Sequence, residues 1–342
     1  MVRNCGPFCG RIVPGKLSRV KTMDQGTPIW IIQGPFGRAT VNLTGRALVE
    51  HAHSEFNILF KLGGADTAFR SAGTTLPLDD CAVLLFNPWT PHAKLANESG
   101  PSLILSLIIE PSWLMRVLTS PPSRTDGLFP NSRETISAEV RLHANRVAAA
   151  VSRRVTDGDG DSASEDLIAD LIDAVTRDYA DPAVEREVLA SARPIDFRIR
   201  KAIAYIDEHA IENPRVEEVA TRVGLSRSRF FEQFKRGVGA TPQHYIDWGR
   251  MAIATKWLST TGRPLIELAD ELGFSAHSHF TRFFTQHIGV SPSEFRRQTM
   301  RSGDDESTGG DGRYPPSPAS GGVPSIAIRD GEKKSLFGAS TS

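Results

Sequence analysis

The chain has 342 residues, with 40 Lys+Arg against 40 Asp+Glu and no formal net charge. That length accommodates two domains with a generous core, and the charge balance excludes a globally basic nucleic-acid coat. Three cysteines (Cys5, Cys9 and Cys81) are too sparse for a disulfide framework, and no run reaches the roughly 20 apolar residues of a membrane span, so a soluble cytoplasmic protein without a signal peptide is expected.

In chain order, residues 1–26 are punctuated by Gly and Pro and read as a flexible arm. From 27 to 110 the apolar runs are strand-length: Ile29–Ile32, Thr40–Leu43, Ala47–Val49, Phe56–Leu62, Ala82–Phe86 and Leu103–Ile109. Turn formers such as Gly34-Pro35, Gly63-Gly64 and Asn87-Pro88 separate them, which predicts an antiparallel sandwich or barrel. Over 111–180 the period changes. Val140, Val147 and Val151, then Leu167, Ile168, Leu171, Ile172 and Val175, recur at helical spacing within 133–155 and 164–179. These two amphipathic helices are expected to pack on the sheet domain or on a second copy of the chain, and are a candidate dimer interface. The Asp157-Gly-Asp-Gly-Asp161 run between them reads as a solvated loop; it lacks the glutamate that a calcium loop places last. Cys81 precedes an apolar strand and is expected in the core. Residues 181–195 form a polar linker, 196–298 are helical in texture, and 299–342 read as a disordered tail.

Within the helical segment one pattern occurs twice, about 50 residues apart. The first copy has Val219-Ala220, Val223-Gly224-Leu225-Ser226, Phe230, Phe234 and Gly239-Ala240-Thr241-Pro242. The second has Leu268-Ala269, Leu272-Gly273-Phe274-Ser275, Phe280, Phe284 and Gly289-Val290-Ser291-Pro292. The offset is 49 before the turn and 50 after it, so the second copy carries one extra turn residue. In each copy a short helix buries one face, Ile266 included in the second. Glycine then ends the helix in a backbone conformation it tolerates best, and a second helix turns two phenylalanines inward at i, i+4. Ser226 is positioned to cap the second helix of copy one. Each copy therefore predicts a helix-turn-helix. Pro242–Thr260 between them reads as one helix of roughly 28 Å, compatible with the ~34 Å between successive major grooves.

The local charge agrees. Residues 193–300 carry 16 Lys+Arg against 12 Asp+Glu, whereas 1–192 carry 19 against 22. On the outward face of the second helices lie Arg227, Ser228, Arg229, Phe231, Glu232 and Lys235 in copy one, and His277, Ser278, Thr281 and Arg282 in copy two. Arg227 and Arg229 suit phosphate or guanine, Phe231 a thymine methyl, and Glu232 a cytosine amino group. Arg282 is the strongest candidate for a base contact, because a guanidinium pairs bidentately with guanine.

Residues 198–297 resemble the DNA-binding domain of the AraC/XylS family of bacterial transcriptional regulators. The resemblance rests on Ala220, Gly224-Leu225-Ser226 and Phe234; Ala254 and Leu258; Ile266, Leu268-Ala269 and Gly273-Phe274; Phe280, Arg282 and Phe284; and Gly289, Ser291-Pro292 and Phe295-Arg296-Arg297. It implies double-stranded promoter DNA as a partner, with RNA polymerase recruited to activate transcription. It assigns base contacts to Ser228, Phe231 and Glu232, and to His277, Ser278, Thr281 and Arg282. The front of the chain resembles the cupin-type sensor of the same family. Gly45, His51, His53, Asn57 and Gly64 follow its first motif, and Pro91-His92 with Asn97 a shifted second one. Metal-binding cupins place a glutamate where Asn57 stands, and the resemblance implies a small organic effector held without metal by His51, His53, Asn57 and His92. A second reading is a metal-dependent cupin enzyme fused to a DNA-binding domain, with three histidines as ligands. No P-loop, nucleophile elbow or dinucleotide fingerprint is present in the sequence. The expectation is therefore an effector-responsive regulator, with a cupin-like β-barrel, a helical dimerisation segment and an all-α C-terminal domain. No catalytic residues, metal or cofactor are expected.

Overall fold

A computed structural model describes residues 29–118, 127–157, 161–181 and 195–300. The arm expected over 1–26, most of the expected linker and residues 301–342 of the expected tail lie outside the described residues, as do Cys5 and Cys9.

The strands are β1 (Ile29–Gly34), β2 (Gly37–Thr44), β3 (Phe56–Gly64), β4 (Thr67–Ser71), β5 (Thr74–Leu78), β6 (Ala82–Phe86), β7 (His92–Lys94), β8 (Ser102–Ile109) and β9 (Arg133–Thr135). The helices of the front half are α1 (Pro111–Val117), α2 (Ala138–Asp157) and α3 (Asp161–Tyr179). After them come α4 (Phe197–His209), α5 (Val216–Arg222), α6 (Arg227–Val238), α7 (Pro242–Thr260), α8 (Leu265–Glu271), α9 (His277–Ile288) and α10 (Pro292–Met300).

A six-stranded antiparallel sheet runs β1-β2-β8-β3-β6-β9, and a three-stranded sheet runs β5-β4-β7. Strict alternation divides the larger sheet into two faces. Ala39 and Val41, Phe56, Ile58 and Phe60, Val83 and Leu85, and Leu105, Leu107 and Ile109 turn to one side. There they form a single core with Trp113, Val140, Val147, Val151, Ile168, Leu171, Ile172 and Val175 of the three front helices. The opposite face meets the smaller sheet through Leu59, Leu84, Phe86 and Ile104 against Phe69 and Leu78. Beyond that patch the opposite face is polar, with Arg38, Thr40, Asn42, Asn57 and Ser106 lining a cavity.

Several expectations are corrected here. The sheets do not close into a barrel: the larger one ends on β1 and β9, neither of which pairs with the smaller sheet. Helix α10 packs on β1 and β2 from the cavity side, where Ile31 meets Phe295 in one core and Arg38 lies over the Phe295 ring. Of the two packings expected for α2 and α3 the structure shows the first: their apolar stripes join the core of their own sheet domain. Residues 133–135, read as helical, form β9 against β6, and α2 begins at Ala138. Ala47–Val49 is not a strand. Its amides are instead donated out of sheet register, Leu48 to the Lys94 carbonyl at 3.0 Å and Val49 to the Gln286 carbonyl at 3.1 Å. Strands β4, β5 and β7 escaped the sequence reading because they are short and mixed in polarity. Cys81 is half-buried just before β6 and does not enter the core.

Candidate nucleic-acid interface and ligand cavity

The two heads share a backbone design. In the first, Gly224 donates to the Thr221 carbonyl and Leu225 to the Ala220 carbonyl, both at 3.0 Å. In the second, Gly273 donates to Asp270 and Phe274 to Ala269, again at 3.0 Å. The two glycines take φ of 69° and 71°, the left-handed conformation that closes a helix with this pair of bonds. Phe230 and Phe234 are fully buried in one core, and Phe280 and Phe284 in the other. Helix α7 spans Pro242–Thr260 with Thr241 as its cap, the hydroxyl accepting from the His244 amide at 3.2 Å. Tyr245, Ile246 and Trp248 of α7 belong to the first core, Met251, Ala254 and Leu258 to the second, and Ile253 touches both.

The extra residue in the second copy sits at the turn and changes the cap. Ser226 accepts from the Arg229 amide at 3.3 Å. The second reading helix has Ala276 at that position with no side-chain cap, while the Ser275 hydroxyl bonds His279 Nδ1 at 2.8 Å. Ile266, expected to be buried, is 59% exposed; the core of that head is completed by Leu268, Ala269 and Leu272 instead. One contribution was missed by sequence reading. Arg250 of α7 is 4% exposed and donates Nη2 to the Leu272 carbonyl at 2.7 Å. Its guanidinium lies 4.1 Å from the Phe274 ring centroid and 5.2 Å from that of Phe283. A cation at the C-terminal end of α8 opposes the negative end of that helix, and the two rings shield it from water.

Arg227, Ser228, Arg229, Phe231, Glu232 and Lys235 are exposed on α6. His277, Ser278 and Arg282 are exposed on α9, and Thr281 is half-exposed beside them. Arg227 pairs with Glu217 of α5, Nε to carboxylate at 2.6 Å, while Arg282 has no carboxylate partner among the described residues.

Between the sheets and the helical domain lies a cavity of about 560 Å³. His51, His53, Asn57 and His92 all line it, so the structure gathers the four residues singled out in sequence. Asn97 does not: its amide bonds the Asp66 carbonyl and Ser102 at the far end of the strands. His51 and His92 face each other in an isolated bridge, exchanging backbone bonds of 3.1 and 3.0 Å. Their ring centroids are 4.6 Å apart, and His53 stands 5.2 Å from His92. Asn57 is buried with its amide nitrogen 3.1 Å from His92 Nε2, and its oxygen accepts from Ser106. Burial, with His53 nearby, lowers the His92 pKa to about 3; burial with His92 and His53 holds His51 well below the usual imidazole range. Both rings are therefore neutral at physiological pH. Burial lowers Lys94 to about 8, and burial with Glu55 nearby pushes Glu110 up to about 7.

The cavity wall also includes residues that sequence reading did not single out: Arg38, Lys94, Glu55 and Glu110 from the sheet side, and His244, Asp247 and Trp248 from α7. The polar alternation of β2 was a usable signal for the first of these. The α7 residues carry none, because only the docking of the two domains makes them wall. That docking is specific. Trp248 Nε1 donates to Glu55 at 3.2 Å, Trp89 stacks on Tyr245 at 4.8 Å, Arg38 lies over Phe295, and Ile31 enters the core of the second head.

Parts of the chain are similar to known proteins. A helix-turn-helix domain family matches residues 219–298. The regulatory protein SoxS of Escherichia coli (strain K12) is 31% identical over 100 residues, 29% of this chain and 94% of that protein. The arabinose operon regulatory protein of the same strain is 36% identical over 104 residues, 30% of this chain and 36% of that protein. The chain thus spans about two fifths or less of the length of the first relatives it matches. These relatives are regulators, not enzymes. A crystal structure of apo ToxT from Vibrio cholerae strain SCE256 covers 80% of this chain and 97% of its own, at 13% identity and a TM-score of 0.49.

Proposed function

Since the chain belongs to the AraC/XylS family of transcriptional regulators, we propose that it binds promoter DNA through both heads and answers to a small-molecule effector held in the interdomain cavity. The observation that carries this reading is the cavity's position. Its walls come from the sheet domain, from α7 that joins the two heads, and from the last turn of α9. An effector that prefers one arrangement of these walls biases how the heads are presented to DNA, by as much as its affinity differs between arrangements.

On the DNA side, α6 and α9 are the reading helices. Arg282, exposed and without a carboxylate partner among the described residues, takes a base contact, and His277, Ser278 and Thr281 flank it. Arg229 and Lys235 serve the phosphates of the first head's groove, Ser228, Phe231 and Glu232 its base edges, and Arg227 joins the phosphate contacts once released from Glu217. The finer reading includes activation through RNA polymerase, a homodimer, and a cytoplasmic, nucleoid-associated location. No helix among the described residues is long and apolar enough to cross a membrane. The domain limits proposed are 27–110 for the sensor, 111–180 for the packing helices, with β9 of the sensor's sheet contributed from that segment, and 196–298 for the DNA-binding part.

Footprinting on the DNA upstream of the chain's own coding sequence tests the proposal. A protected site at moderate salt, weakened by Arg282→Ala, supports it; no protection at any candidate promoter overturns it.

A further inference from the structure

The three cavity histidines share a feature that a simple lining would not need. His51 Nδ1 is 2.8 Å from the Val49 carbonyl, His53 Nδ1 is 3.0 Å from the Glu55 carbonyl, and His92 Nδ1 is 2.8 Å from the Thr90 carbonyl. A carbonyl only accepts, so Nδ1 carries the proton in all three, and in the neutral ring that leaves the lone pair on Nε2. That is the orientation by which proteins fix a ligating imidazole. Ring nitrogens of the three lie within 4.8 Å of one another. His53 Nε2 is buried with no hydrogen-bond partner, an arrangement that is costly unless something fills it. The paired backbone bonds between His51 and His92 hold two of the rings at fixed separation.

We propose that His51, His53 and His92 bind a divalent first-row transition-metal ion, and that the ion is a regulatory ligand at the junction of the two domains. The proposal rests on the regulatory reading of the cavity given above. An all-imidazole donor set favours zinc, copper, nickel or iron over magnesium or calcium, which take oxygen. Three protein nitrogens leave the ion's remaining positions open. One candidate for them comes from the other domain. His287, in the last turn of the reading helix α9, has its ring 6.1 Å from that of His51. Its Nδ1 also points at a carbonyl, that of Phe283 at 2.8 Å, so in the neutral ring its Nε2 too offers a lone pair. The neighbouring Gln286 carbonyl already accepts from the Val49 amide, two residues before His51. Closure of the imidazoles on an ion therefore pulls on the helix that carries Thr281 and Arg282. Asn57, now donating to His92, would turn its oxygen toward the ion or be displaced.

Cobalt(II) and zinc(II) are the probes. The full chain, stripped with chelator, is titrated with cobalt(II) by calorimetry and visible absorption, and promoter footprints are taken with and without zinc(II). The expected result is one saturable cobalt(II) per chain with ligand-field bands, and a loss of affinity of about 10–100-fold in His53→Gln and in His51→Gln, each with unchanged circular dichroism. His287→Ala should keep the metal, shift the bands and remove the effect of zinc(II) on the footprint. The site is refuted by the absence of saturable binding, or by binding unchanged in both glutamine variants. A metal-bound chain whose footprint is the same with and without zinc(II) overturns the regulatory role. A chain that binds cobalt(II) and protects no DNA sinks the regulator reading and leaves the metal site standing. If an organic effector fills the cavity instead, the stripped protein will show no cobalt bands.

Discussion

The two heads are copies in backbone and unlike in what fixes them. The first is held by an aromatic cluster, with Trp89 from the sheet domain seated on Tyr245 and Trp248, and it caps its reading helix with Ser226. The second has no side-chain cap on α9 and relies on the buried Arg250, sandwiched on Phe274 and Phe283. It meets the sheet domain through different contacts: Ile31 in its core, Arg38 over Phe295 and a backbone bond from Val49. Repetition of a motif therefore does not imply equal roles. The head whose outer helix reaches the cavity, through His287 and Ile288, is also the one that presents Arg282 without a carboxylate partner among the described residues.

The sharpest way to break this comparison is to empty one core at a time. Phe280→Ala and Phe230→Ala should each cost about 3–5 kcal/mol in denaturant unfolding. Because the cores are separate clusters, hydrogen exchange should rise mainly in the mutated head. Equal loss of protection in both heads would show that they unfold as one unit. Next, Arg250→Leu removes the donor to the Leu272 carbonyl and should destabilise the second head by about 1–3 kcal/mol. The same exchange measurement should find the first head unchanged.

On the DNA side, Arg282→Ala should weaken specific binding by about 1–3 kcal/mol and relax preference at one base pair. Arg227→Ala, already paired with an exposed glutamate, should change affinity by less than about 1 kcal/mol. A larger effect from Arg227 in titrations on the same site would reverse the ranking of the heads. The caps offer a finer contrast. Ser226→Ala should cost about 1 kcal/mol, whereas Ser275→Ala, which caps nothing, should cost only a few tenths by thermal unfolding. The last contrast concerns the junction. Glu110 has a folded pKa near 7, above its ordinary 4.5, so the native state holds a proton that the unfolded state gives up. Its contribution is full below about pH 4.5 and is lost as the pH rises through about 7. Denaturation midpoints across that range should fall less steeply in Glu110→Gln than in the parent chain; identical slopes would count against a buried, proton-holding Glu110.

Much of the helical domain was legible because its signals are local. Glycine at a left-handed position, phenylalanines four apart, and threonine before proline each act within a turn of helix, and α7 fell on its expected limits. The sheet domain was legible only where runs were long and apolar. Short strands such as β7 and β9 are stabilised by partners distant in sequence, which no window of residues displays.

The sequence by itself determined the duplicated helix-turn-helix, the helix that joins the copies, the exposed reading faces and a sheet domain in front of them, since periodicity and turn chemistry are properties of neighbouring residues. It also named His51, His53, Asn57 and His92, although the amide at Asn57 argued in sequence against a metal. Tertiary structure decided that the sheets stay open, that α2 and α3 bury their apolar stripes at home, and that Trp248, His244 and His287 stand across a cavity from the histidines. Packing within the helical domain set Arg250 against the turn of the second head. These are contacts between residues far apart in the chain, chosen by burying area and pairing buried polar groups, and only the assembled domains bring them within reach.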